Sequence, residues 1–269
     1  MFFYNEDTST PSFTPPSGSS LRFWLDASDL TVADGTAITT MNNKGTLGGT
    51  FIKRTDISID TNANPTVDTV DGKKALSWAA NETHGLISTQ AMSYNQPITI
   101  LTLTRNEANQ TSGVPNGAPY SNSGRHFDLG YNRIQLVNNQ GWDSYPSYYN
   151  SFWRIDAGSP PGGGIDIDMG TVSAVLIQYD ITLSTTTKFF KIKKDAADTI
   201  ATFTPAFGGI GGIPISSSPM LIGGAYGSAG GGGYINSFAG KMFEIMIWEG
   251  TVDDAAVRTY LGQKYGGTW

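Results

Sequence analysis

Phe238-Ala-Gly-Lys-Met-Phe-Glu-Ile-Met-Ile-Trp-Glu-Gly250, followed by Thr251-Val-Asp-Asp-Ala-Ala-Val-Arg-Thr-Tyr-Leu-Gly-Gln-Lys-Tyr-Gly266, decides the fold. The first half has strand chemistry. Strict alternation puts Phe243, Ile245 and Ile247 on one face and Met242, Glu244, Met246 and Trp248 on the other. Both faces are mostly apolar, so the strand is expected to be covered on both sides and central in its sheet. The second half has helix chemistry. Thr251 is the expected N-cap, and Asp253 and Asp254 occupy a first turn that favours anions. Val257, Tyr260, Leu261 and Lys264 or Tyr265 make one face, and Gly266 is a natural stop. Such a helix either folds back over the outer face of the sheet or caps the end of a sandwich.

Working outward, the rest of the chain reads as short strands and turns. Leu21–Asp26 alternates. Asp71-Gly72 joins Thr66–Val70 to Lys74–Trp78 as a hairpin. Pro97–Arg105 and Thr171–Tyr179 are strands by β-branched content. Arg125–Tyr131 with Arg133–Val137, and Thr187–Lys194 with Thr199–Phe203, read as hairpins, and Pro219–Tyr226 as a short strand. Gly141–Gly164 and Phe207–Pro219 break the rhythm. Many strands and one helix predict an all-β, two-sheet antiparallel sandwich, with Ile245, Ile247, Trp24, Leu101 and Leu176 in its core.

Three stretches carry a family resemblance. Phe238–Trp269, Leu21-Arg-Phe-Trp-Leu-Asp-Ala-Ser-Asp29 and Val70-Asp-Gly-Lys-Lys-Ala-Leu-Ser-Trp78 resemble the closing, opening and middle strands of LamG-like, concanavalin A-like jelly-roll domains of bacteria and phages. Met41-Asn-Asn-Lys-Gly45 stands where that family often has Trp-x-Asp-x-Ser-Gly. The resemblance implies a jelly roll over residues 21–269. Its motifs specify a fold and not an activity.

The 269 residues carry no Cys, 33 Gly and a formal charge of −6. The length suits one large sandwich. The acidic balance argues against nucleic-acid binding. No apolar run is long enough for a membrane span, and the first residues lack the pattern of a signal peptide. Low charge with abundant Gly, Ser, Thr and Asn resembles adhesins and virion proteins. A protein without an export signal can reach the outside by lysis, as part of a phage particle.

Residues 1–20 form a Pro/Ser/Thr-rich extended arm. Ordering it requires anchors, and Phe2, Phe3, Tyr4 and Phe13 are the sizeable ones. They either pack on their own domain or dock on a neighbouring subunit; assembly with other virion subunits or with itself is the expectation.

Catalysis has little to stand on in the sequence. There are two histidines, His84 and His126, and no Gly-x-Ser-x-Gly elbow, P-loop or dinucleotide fingerprint. Glucanases of this fold carry Glu-x-Asp-x-x-Glu on one strand, which this chain lacks. The nearest pattern is Asp166-Ile-Asp168. The protein is therefore expected not to be an enzyme. No cofactor is implied, though oxygen-rich loops suit Ca²⁺, with Asp26, Asp29, Asp34, Asp166 and Asp168 as candidates against the plainer reading that they cap turns. The most distinctive feature is the aromatic cluster Trp142, Tyr145, Tyr148, Tyr149, Phe152 and Trp153, interleaved with Asp143, Asn150 and Arg154. Such a cluster fills a core, makes a subunit contact, or stacks on sugar rings while Asp143 and Arg154 take the hydroxyls.

Three functions follow. The first is a non-enzymatic phage virion protein, a capsid decoration or tail-associated adhesin, located on the particle. The second is an extracellular lectin-like module binding a host surface glycan. The third is a glycan-cleaving enzyme of the same fold. Fold alone does not choose among them.

Overall fold

The computed structural model describes residues 13–16, 20–53, 64–79, 85–94, 97–107, 123–129, 134–139, 152–156, 164–166, 169–180, 185–200, 215–224 and 238–269. In chain order its strands are β1 (Ser20–Asp26), β2 (Thr40–Asn42), β3 (Thr50–Lys53), β4 (Thr66–Val70), β5 (Lys73–Trp78), β6 (Leu86–Tyr94), β7 (Ile98–Asn106) and β8 (Ser123–Leu129). They continue with β9 (Ile134–Asn139), β10 (Phe152–Asp156), β11 (Gly164–Asp166), β12 (Val172–Asp180), β13 (Thr185–Lys193), β14 (Thr199–Ile200), β15 (Ile215–Ile222) and β16 (Gly240–Glu249). One α-helix, α1, spans Asp254–Tyr265.

The first sheet has the order β14-β13-β12-β7-β16-β5-β4, with β1 also on β16; the second runs β11-β10-β9-β8-β15-β6-β3-β2. All named strand pairs are antiparallel. The architecture is the two-sheet jelly-roll sandwich expected.

β16 is central, as its two apolar faces require. One edge pairs with β7 throughout. The other is shared: Gly240–Met242 meets β5, and Glu244–Glu249 meets β1. Its alternation is broken, however. The register shifts between Met242 and Glu244, a bulge that places Phe243 and Glu244 together on the helix side. Met242 joins Ile245 and Ile247 in the inter-sheet core, while Phe243 lies with Met246 and Trp248 beneath the helix. This exchanges the faces expected for Met242 and Phe243.

The interior is two apolar layers. Between the sheets lie Phe23, Leu25, Phe51, Leu76, Trp78, Ile100, Phe127, Leu136, Ile177, Phe238, Ile245 and Ile247. Leu101, Leu176 and Trp24, expected in that core, belong to the second layer, with Phe243, Met246, Trp248, Val257, Tyr260 and Leu261. The reason is parity: Ile98 and Ile100 point inward on β7, so Leu101 and Leu103 point out, where the returning helix covers them.

Asp253, and not Thr251, caps α1 by accepting a bond from the Ala255 backbone N–H at 3.2 Å. Gly266 closes it at φ 72°, a conformation that a Cβ disfavours. The Lys73 ammonium donates to the Lys264 carbonyl at 2.9 Å, satisfying an orphan acceptor of the last turn. Asp71 and Gly72, at φ 50° and 75°, make the tight β4–β5 hairpin as expected.

Met41–Gly45, the departure from the family pattern, straps β1. The Asn43 side chain accepts from the Trp24 and Gly45 backbone N–H groups at 2.8 and 3.0 Å and donates to the Arg22 and Gly48 carbonyls at 3.1 and 2.9 Å. Three backbone bonds, Lys44 N–H to Trp24 O, Thr46 N–H to Leu21 O and Leu47 N–H to Arg22 O, complete the strap.

Elsewhere the structure shifts the expected bounds. Gly141–Gly164 contains a strand, β10, and β15 begins at Ile215 instead of Pro219. Pro219 has no N–H to give to a ladder, and the β15 register is irregular on both sides of it.

Candidate functional site

Two places bring polar residues together. The first lies under α1. The β1–β16 register sets Asp26 directly opposite Glu244, a like-charge pair that would by itself weaken the sheet. Lys264, from the last turn of α1, resolves it. Its ammonium donates to Asp26 Oδ2 at 2.7 Å, Glu244 Oε1 at 2.9 Å and the Tyr260 hydroxyl at 3.0 Å. The three charged side chains are 4% (Lys264), 3% (Asp26) and 1% (Glu244) exposed. Glu244 also accepts from Trp24 Nε1 and Tyr260 OH, both at 2.6 Å, and from Tyr265 OH at 3.0 Å. Lys44 reaches the cluster from the strap, 3.0 Å from both Asp26 and Asp29, with its ammonium 4.0 Å from the centroid of the Trp24 ring.

The electrostatics divide the two carboxylates. Burial pushes Asp26 up, but the charge and hydrogen bond of Lys264, with Ser28 and Lys44, outweigh it and hold Asp26 below the usual range. For Glu244 burial prevails over Lys264, and the Asp26 charge adds to it, so its carboxyl is raised. Burial and the Glu244 charge raise the Tyr260 and Tyr265 phenols, which stay protonated donors. This cluster is a latch that binds helix to sheet. Two of the calcium candidates, Asp26 and Asp29, are thus engaged by lysine ammoniums, and Asp34 pairs with Lys74 at 2.7 Å. Among the described residues no group of three or more metal-type ligands gathers.

The second place is the β8–β11 end of the second sheet. Strand pairing sets Leu221, Asp128, Gln135 and Asp156 in one cross-strand row of the backbone, Arg125, Val137 and Arg154 in the next, and Ser123, Asn139, Phe152 and Asp166 in a third. The β8 register shifts between Arg125 and Phe127, a bulge, and Phe127, Leu129 and Leu136 join the inter-sheet core.

Of the sugar-binding candidates, Trp153 and Arg154 lie on β10, Trp153 paired with Asn138 and Ile165 and Arg154 with Val137 and Gly164. Trp142, Asp143, Tyr145, Tyr148 and Tyr149 lie outside the described residues, as do Asp168, His84, Phe2, Phe3 and Tyr4. Asp166 sits in the third row. Phe13 packs against the helix-side layer of its own chain. His126 is fully buried beside Phe238, ring centroids 4.2 Å apart, and burial depresses its imidazole to about 3.

Sequence reasoning missed the latch and the rows. A lone Glu244 within an apolar strand and a lone Lys264 on an apolar helix face were the available signals, since unpaired buried charges are costly. Period-2 spacing in Ile134–Asn139 separated the rows, but only pairing aligns them, and β8 departs from that period at the bulge between Arg125 and Phe127.

No family model and no curated protein matches the chain. Solved structures do. An arabinofuranosidase complexed with arabinofuranosyl-α-1,2-xylobiose is 13% identical with a TM-score of 0.54, the match covering 93% of this chain and 60% of that one. Trypanosoma rangeli sialidase in complex with sialic acid is 12% identical with a TM-score of 0.51, covering 93% of this chain and 34% of that one. The chain thus spans about a third to three-fifths of the length of these relatives. What they share with it is the fold, a concanavalin-like sandwich. Both are glycoside hydrolases, and this corrects the expectation of a non-enzymatic protein: the absence of a Glu-x-Asp-x-x-Glu strand does not set the chain apart from enzymes, because its sandwich is one that glycosidases contain.

Proposed function

We propose that the protein recognises glycans through residues of β8–β11. The observation that carries this is the composition of the three rows. Their polar members are Asp128, Gln135, Asp156, Arg125, Arg154, Ser123, Asn139 and Asp166, and β8–β11 contain no lysine. Most of these end in planar groups with two hydrogen-bonding atoms, the geometry that grips vicinal hydroxyls. Phe152 and Val137 add apolar positions among them, suited to the C–H faces of a sugar ring. The glycosidase sandwiches of similar fold favour the same class of ligand.

The test is binding of the full chain to a panel of immobilised polysaccharides. Binding that is lost in Arg154→Ala and Asp156→Ala, with the thermal transition retained, is the expected result. A glycan bound equally well by both variants refutes the assignment of the site to these strands.

The setting we propose is a bacteriophage particle, as a decoration or tail-associated subunit. Supporting it are the resemblance of Leu21–Asp29, Val70–Trp78 and Phe238–Trp269 to phage-type jelly-roll strands and the low-charge, Gly/Ser/Thr/Asn-rich composition. Mass spectrometry of purified particles tests it; absence of the protein from them would discard it.

A further inference from the structure

We infer that the space between the sheets beside β7 is a binding site for water, a short file of molecules held on three consecutive inward positions of that strand. The inward face of β7 is apolar at its start, where Ile98 and Ile100 join the inter-sheet core. It turns polar at its end, where Thr102, Thr104 and Asn106 follow at the same parity. Leu101 and Leu103 alternate with them and lie in the helix-side layer, which fixes the direction of the threonines. Thr102 and Thr104 are 0% exposed and Asn106 is 1% exposed. Among the described residues, the two threonine hydroxyls and the Asn106 carboxamide oxygen have no hydrogen-bond partner. A polar group buried bare loses its hydration with nothing in return, and native interiors leave few such groups. Here three follow one another along one strand, about 6.6 Å apart.

Register widens the polar strip. On β12, Val175 pairs with Thr102 and Ser173 with Thr104; on β13, Lys191 pairs with Val175 and Lys193 with Ser173. Ser173 sits between Val172 and Ala174, both of the helix-side layer, so it shares the inward face and is 1% exposed. Ile192 also lies on the helix side, so Lys191 is inward too, and it is fully buried. A lysine so placed needs polar company. On the other side of β7, Met242 and Ile245 pair with Thr104 and Thr102 and make an apolar wall. The ligand must both donate and accept, because hydroxyls do either and a carboxamide oxygen only accepts. Water does both, and a buried water typically makes about three hydrogen bonds. An anion would take the hydroxyl protons and leave the Asn106 oxygen bare.

The experiment uses the intact chain. Oxygen-17 relaxation dispersion counts waters held inside a protein, and thermal unfolding reads what they contribute. Thr102→Val with Thr104→Val keeps the shape of both side chains and removes both hydroxyls. The expected result is a dispersion amplitude lower by at least one water and a melting temperature lower by about 4 °C. Thr102→Ser with Thr104→Ser, which keeps the hydroxyls, should retain the amplitude. Equal amplitudes in the parent and the valine variant overturn the inference. A valine variant that melts above the parent overturns it as well, since removing bare hydroxyls relieves their desolvation. A chloride dependence of melting that is present in the parent and absent from the valine variant would mark the ligand as an anion, and that too overturns it.

Discussion

Replacing Lys264 with Met tests the latch under α1. Met keeps most of the apolar stem and deletes the ammonium, so Asp26 and Glu244, at 3% and 1% exposure, lose the cation set between them. Removing one partner of a buried ion pair costs about 3–5 kcal/mol. Here the lower end applies. Asp26 keeps Lys44 at 3.0 Å and the Ser28 hydroxyl at 2.6 Å, and Glu244 keeps its bonds from Trp24, Tyr260 and Tyr265. The expected loss is therefore about 3 kcal/mol, a large part of an ordinary domain's stability. Urea unfolding followed by tryptophan fluorescence suits the measurement, because Trp24, Trp248 and Trp269 all belong to the helix-side layer. The midpoint should fall with the slope unchanged.

The pH dependence has a definite sign. Asp26 is depressed, so its contribution is present above the ordinary carboxylate range and is lost as pH falls through its lowered value. Glu244 is raised, so its contribution is present at low pH and lost as pH rises through its raised value. In Lys264→Met, Glu244 takes up a proton more readily still, and the penalty should shrink as the solution is acidified. Adding Glu244→Gln should restore part of the loss, since removing both members of a buried pair is milder than removing one. A Lys264→Met protein within about 0.5 kcal/mol of the parent, the range of an ordinary surface change, would refute the latch.

Two further outcomes are expected. Gly45→Ala places a Cβ 2.1 Å from the Arg22 carbonyl oxygen and 2.4 Å from its carbon; it should cost about 3 kcal/mol and speed exchange of the Lys44 and Thr46 amides, whereas unchanged exchange would show that the strap yields freely. His126→Leu should flatten part of the acid sensitivity: the buried imidazole, depressed to about 3, binds its proton in the unfolded state first, so the parent loses stability as pH falls from the ordinary 6.5 toward 3. Equal drops in melting temperature between pH 7 and pH 4.5 for parent and variant would contradict this.

The sequence alone determined the class of fold, because strand and helix periods are local. Val172–Tyr179 and Ile98–Arg105 show β-branched alternation, Asp71-Gly72 carries its own turn, and Gly266 its own stop. The centrality of β16 was also legible, since an apolar strand of either parity must be covered twice. What needed the tertiary structure were features that depend on register between distant strands. The bulge at Met242–Glu244 moved Phe243 to the helix side, and nothing in the alternation of Met, Phe, Glu and Ile announces one extra residue. Leu101 and Leu176 could have faced either layer; the helix over the first sheet decided it. Asp26, Glu244 and Lys264 are separated by more than 200 positions at their extremes, and each looks like an isolated charge until β1 meets β16 and α1 folds back over both. The rows of β8–β11 are the same case. Arg125 and Arg154 share a register position only because β9 pairs with the strands on both its sides, and neither strand by itself announces that alignment.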